Sequence, residues 1–117
     1  MLLVGTAAAL IALSSAAADC MSGNWAAIVK RTEMLIVHRE ELRVPQGPVG
    51  EKRLATCVRI RFQIDQNGVP MNVAIDQSSG NRTIDVAARE AVRRYQFEVP
   101  REMQAHYAVV LEIAPTW

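Results

Sequence analysis

The side chains best equipped for chemistry are His38 in HREE, His106, the pair Ser78 and Ser79, the acidic turn DQNG at 65–68, and two cysteines, Cys20 and Cys57. A zinc-protease helix needs a second histidine four residues after the first, and position 42 is Leu. Two histidines without a third donor fall short of a zinc site, and neither has a nucleophile partner in the sequence. A nucleophilic serine on a strand-to-helix elbow requires the preceding glycine of G-x-S-x-G. Asp76 and Gln77 occupy those positions here, so the serines read as strand-ending turn residues. DQNG starts like a calcium loop but lacks its further carboxylates, and a hairpin turn accounts for it. The expectation is a protein with no catalytic residues, no metal and no cofactor.

The bulk composition narrows the partners. With 117 residues the chain has room for one well-buried domain. Thirteen basic residues are interleaved with twelve acidic ones and the net charge is +1, so no basic patch for nucleic acid and no disordered polyelectrolyte is expected.

Residues 1–18, MLLVGTAAALIALSSAAA, carry no charge and end in small residues that fit a signal-peptidase site, so a cut after Ala18 is expected. The segment has no basic n-region, which leaves an uncleaved membrane anchor as the alternative. Cys20 raises lipidation as a further route to the membrane, but Asp19 stands where that processing favours a small uncharged residue. In an exported chain Cys20 and Cys57 can form a disulfide, worth about 4 kcal/mol in the chain-entropy model. The other reading leaves both thiols free, with Cys57 a buried strand residue.

The elements that would position these groups follow from periodicity. Trp25, Ile28, Val29, Leu35, Ile36 and Leu42 suit a helix over roughly 23–42, although MLIVH also fits a short strand. VPQGPVGE then breaks regular structure. Val58, Ile60, Phe62 and Ile64 alternate with charged and polar residues as a half-buried strand, with Arg59 and Arg61 on a solvated face. After DQNG, a second strand places Met71, Val73 and Ile75 on one face, and Pro70 puts it at an edge. A helix over 83–95, capped by Thr83, carries an alanine-rich stripe of Ile84, Ala87, Ala88, Ala91, Val92 and Tyr95. A third strand alternates Tyr107, Val109, Leu111 and Ile113. A right-handed crossover through the helix gives strand order 2-1-3, with the third strand at an edge. The expected class is two-layer α+β: a three-stranded antiparallel-type sheet, a crossover helix and an additional N-terminal helix.

VRIRFQID, QNG, VPMNVAIDQSSG, IDVAA, YQF and Pro100 follow one another over about sixty residues, and in that order they resemble the C-terminal domain of the TonB family of periplasmic energy transducers. The resemblance covers 57–113. Together with the periodicity, the expected division is a signal peptide at 1–18, an N-terminal helix and Pro/Gly loop at 19–56, and the TonB-like domain at 57–113. The resemblance implies a periplasmic, non-enzymatic domain whose last strand pairs with an extended peptide, as TonB captures the TonB box of an outer-membrane receptor. Carried over residue by residue, the binding edge is Tyr107, Ala108, Val109, Val110, Leu111 and Glu112.

The departures from the family pattern shape the functional expectation. Residues 1–18 lack the histidine of the family's anchor, and no proline-rich spacer lies between 19 and 57, where some forty residues reach about 130 to 140 Å at full extension. EELRVPQGPVGEKRLA stands where the family commonly has YP-x-x-A. The sequence therefore points to an exported TonB-like module that binds an envelope or outer-membrane protein, with a role in energy-coupled transport as the wider setting. The alternative is a structural envelope domain that pairs the same edge with a second copy, as a homodimer. Membrane contact is expected only with an uncleaved leader or a lipidated Cys20.

Overall fold

Alternation in TCVRIRFQI produces the central strand of the domain. In the computed structural model, which describes residues 19–44, 55–101 and 106–114, this segment is β2 (Thr56–Ile64). Around it run α1 (Trp25–Glu33), β1 (Ile36–His38), β3 (Pro70–Gln77), α2 (Arg82–Arg93), β4 (Gln96–Phe97) and β5 (Tyr107–Ile113). The expected signal peptide at 1–18 and most of the Pro/Gly loop lie outside the described residues. No described helix is long and apolar enough to cross a membrane.

The main sheet has the order β3-β2-β5, with β2 antiparallel to both neighbours. This is the 2-1-3 arrangement expected from the crossover. Val58, Ile60, Phe62 and Ile64 of β2, with Tyr107, Val109 and Leu111 of β5, form one apolar face. Ala88 and Val92 of α2, with Tyr95 and Phe97 beyond it, pack on that face, and the small alanine side chains let the helix approach the strands closely.

The hairpin between β2 and β3 is closed by Asp65. Its Oδ1 accepts the backbone N–H groups of Asn67 and Val69 at 2.8 and 2.9 Å, so the carboxylate is consumed by its own turn. Gly68 adopts φ +80°, and an added Cβ would lie 2.1 Å from the Phe97 carbonyl oxygen. Its own carbonyl accepts the Phe97 N–H at 2.9 Å. Glycine is required there because β4 passes directly over the turn.

Two register shifts interrupt the β2–β3 ladder, between Arg59 and Ile60 and between Arg61 and Gln63. Asn72, with φ +54°, sits in the second. A residue inserted on one strand changes which face its neighbours take. Val73 and Ile75 therefore pack against the core, while Met71 is 41% exposed rather than sharing their face as the simple alternation predicts.

The crossover helix is capped by Asn81, not by the expected Thr83 two residues further on. Asn81 has extended backbone angles, and its side chain accepts the Ile84 N–H at 3.1 Å. Thr83 is exposed. The N-terminal helix is shorter than the periodicity predicts. It ends at Glu33, and Ile36–His38 pairs with Gln96–Phe97 as a small antiparallel sheet. The β-branched pair Ile36 and Val37 favours the extended form. Ile36 then packs against the core, and Leu35 accepts the Glu98 N–H at 2.8 Å.

Candidate functional site

β5 pairs with β2 through seven successive residue pairs, Phe62 with Tyr107 to Thr56 with Ile113, without a register shift. In an antiparallel ladder, successive residues turn their N–H and C=O alternately toward and away from the partner strand. The phase is fixed by Ala108, whose N–H leaves the sheet and donates to Thr32 Oγ1 at 3.2 Å. Val110 and Glu112 share that phase and turn their backbone groups outward. Tyr107, Val109 and Leu111 turn theirs toward β2. Among the described residues no side chain accepts the outward N–H of Val110 or Glu112.

The six residues expected at the binding edge thus split into two sets. Tyr107, Val109 and Leu111 send side chains into the core and backbone groups into the ladder; the first two are 1% and 0% exposed. Ala108, Val110 and Glu112 supply the edge itself. Val110 is partly exposed and Glu112 is exposed, but Ala108 is fully buried. Its burial has a specific cause. α1 presents Trp25, Ile28, Val29 and Thr32 at the i, i+3, i+4, i+7 spacing of one helix face, and α1 packs on β5. Thr32 is 0% exposed and donates its hydroxyl to the Ile28 carbonyl at 2.8 Å while accepting from Ala108. Both capacities of that hydroxyl are occupied.

The second face of the sheet holds this helix in place. Cys20 and Cys57 form a disulfide with a Cα–Cα separation of 6.4 Å, and both are buried. With its sulfur bonded to Cys57, Cys20 is not free to carry lipid. Arg59 is 7% exposed, so the strand face expected to be solvated is covered at this point. Its guanidinium donates to Asp76 Oδ2 at 2.7 Å and to the Cys20 carbonyl at 2.7 Å, and it lies 4.2 Å from the centre of the Trp25 ring. One cation therefore ties β3, β2 and the N-terminal segment together. Arg31 adds a looser contact, 6.0 Å from the Tyr107 ring centre. Thr32, Arg59 and Trp25 were not expected at the site; the helical spacing of Trp25 and Thr32 was the available signal.

The serine pair has a different task. Ser78 Oγ donates to Asp85 Oδ2 at 2.5 Å, while Ser79 donates its hydroxyl to Asp85 Oδ1 at 2.6 Å and its N–H at 2.9 Å. Burial would raise the Asp85 carboxyl, but these hydrogen bonds outweigh it and hold the group below its ordinary value. Such a carboxylate is a weak base, and it fastens the start of α2 to the end of β3. His38 is exposed and lies 3.7 Å from Glu40, and His106 is exposed. Among the described residues no group of three or more His, Cys, Asp or Glu side chains is placed to hold a metal.

A three-stranded antiparallel sheet under one crossover helix, with one regular edge strand and one interrupted one, defines a two-layer α+β domain. A model of the family described as Gram-negative bacterial TonB protein C-terminal matches residues 50–114, more than half of the chain. The chain belongs to that family. Searches of the curated proteins and of the solved structures return no match. Domains of this family are periplasmic and typically non-catalytic, and the disulfide fits an oxidising compartment. α1 and the Cys20 half of the disulfide precede the matched region.

Proposed function

We propose that the chain is a periplasmic, non-enzymatic binding domain that adds an extended peptide of an outer-membrane transport protein to the outer edge of β5. Family membership supports the class of partner, a TonB-box-like segment. The observation that carries the reading is the unbroken β5 register, with Val110 and Glu112 turned outward next to a clean seven-pair ladder. Unpaired backbone groups on a regular edge supply affinity independent of side-chain identity, and alternate side chains supply selectivity.

The test uses Val110→Pro, which removes an outward N–H while sparing the bonds to β2. A proline at Val109 would instead break the internal ladder. The wild-type chain is expected to capture an outer-membrane transporter through its extended terminal segment from detergent-solubilised outer membranes. Val110→Pro is expected to lose it, and Val110→Thr to retain it. Equal capture by Val110→Pro, with the circular dichroism of the wild type, removes the reading. Sedimentation of the free chain addresses the competing homodimer: a concentration-dependent dimer abolished by Val110→Pro would assign the edge to a second copy.

A further inference from the structure

The β5 edge is not equally available along its length. Its outward-facing residues are Ala108, Val110 and Glu112, and the first of them already has a partner: its N–H is held by Thr32 at 3.2 Å. Thr32 is not a surface side chain that happens to reach the strand. It is fully buried, it is anchored on its own helix by the bond to Ile28, and Val29 one position round the helix face is 4% exposed. The segment that carries it is attached upstream by the buried Cys20–Cys57 bond and by the Arg59 contacts to the Cys20 carbonyl and the Trp25 ring. A peptide that paired along the whole strand would have to displace the Thr32 hydroxyl and lift α1 away from β5. That would expose Val29 and strip the buried Thr32 hydroxyl of the donor it accepts from, while the Ala108 N–H merely exchanged one acceptor for another.

We infer that the N-terminal segment is a fixed clasp that sets the pairing frame, with Thr32 as the specificity-determining residue: a peptide strand is confined to the Val110 and Glu112 half of β5 and stops at α1. The inference rests on the pairing function proposed above and deepens it. It predicts a short recognition strand, in contact with two outward-facing residues rather than three. It also assigns a function to residues 19–33, which precede the matched family region. The buried position of both cysteines makes the clasp a permanent fixture of the oxidised chain.

Amide hydrogen exchange on the full oxidised chain tests this. The probe is a synthetic ten-residue peptide taken as the most enriched sequence from a random decapeptide display selected against the wild-type protein. In the free wild type, the Ala108 amide is expected to exchange at least tenfold more slowly than those of Val110 and Glu112. Saturation with the peptide should slow Val110 and Glu112 at least tenfold and leave Ala108 and the Trp25–Glu33 amides unchanged. In Thr32→Val, Ala108 should exchange at least tenfold faster in the free protein, with Val109 and Leu111 unaffected, and should become slowed by the peptide. Thr32→Ser should behave as wild type, which separates the hydroxyl from any general loosening of the helix. If the peptide slows Val110 and Glu112 while protection across Trp25–Glu33 collapses, the clasp opens on binding and the inference is overturned, with the pairing function intact. If the peptide slows neither residue in any variant, the pairing reading itself fails.

Discussion

The two edges of the sheet are built on opposite plans. β3 begins at Pro70, which has no N–H, carries Asn72 in a left-handed conformation, and meets β2 with two register shifts. Each of these features interrupts the flat row of donors and acceptors that another strand needs. β5 contains no proline and no register shift, and it follows β2 for seven pairs. It is protected in a different way, by a helix that occupies one end and leaves the other. An edge interrupted at several points is a poor template for pairing. An edge that is regular but covered at one end can still pair, in a restricted frame. The contrast supports the proposed placement of pairing on β5 through the geometry of its backbone, with side-chain chemistry in a secondary part.

Removing the disulfide should have the largest effect on this contrast. Cys20→Ser combined with Cys57→Ser frees the upstream end of the clasp, across a sequence separation of 37, and should lower stability by about 4 kcal/mol, read as a shift in the urea midpoint. A loss below about 1 kcal/mol would show that helix packing alone secures the segment.

Arg59→Met comes next, because Arg59 serves both edges. It holds Asp76 of the interrupted strand and the Cys20 carbonyl of the clasp. Leaving that carbonyl without its donor, and Asp76 with Arg61 alone at 3.4 Å, should cost about 3 kcal/mol. Chemical denaturation would measure the loss, and a double-mutant cycle with Asp76→Asn would show coupling between the two sites.

Asp85 produces a smaller and pH-dependent effect at the β3 end of the contrast. Its folded-state carboxyl lies below the ordinary value of 3.8, so the unfolded chain binds this proton more readily. The stabilisation is present in full above about pH 3.8 and is lost as the pH falls through the lower folded value. Asp85→Asn should cost about 2 kcal/mol at neutral pH and reduce the loss of stability on acidification. An acid unfolding profile unchanged by the substitution would assign the acid sensitivity elsewhere.

The fold was legible where periodicity and punctuation agree. Val58, Ile60, Phe62 and Ile64 alternate cleanly, the DQNG turn follows, and the alanine stripe of α2 leaves no second reading, so the strand order emerged from chain connectivity and crossover handedness. Two cysteines in a chain expected to be exported leave both a disulfide and two free thiols open, and the structure has the bond. The misreadings have local causes. Thr83 and Asn81 are both acceptable caps, and only the backbone angles decide between them. A long helical period ran on through Ile36 and Val37 because the strand partner that claims them, Gln96–Phe97, lies sixty residues away. Simple alternation groups Met71 with Val73 and Ile75 because a bulge at Asn72 has no signature in a two-residue period. At the site, the strand was legible and its phase was not. Which of Ala108 and Val109 faces outward depends on the register with β2, and the burial of Arg59 depends on a segment separated from it by the Pro/Gly loop.

The most direct measurement places a photo-cross-linking amino acid at one exposed position on each edge, Glu112 on β5 and Met71 on β3, in cells that carry the outer-membrane partner. Adducts at Glu112 to an extended segment of an outer-membrane transporter, none at Met71, and loss of the Glu112 adduct on adding Val110→Pro are the results expected from pairing at β5. Adducts of equal yield at both positions, or a Glu112 adduct that persists with Val110→Pro, would contradict it.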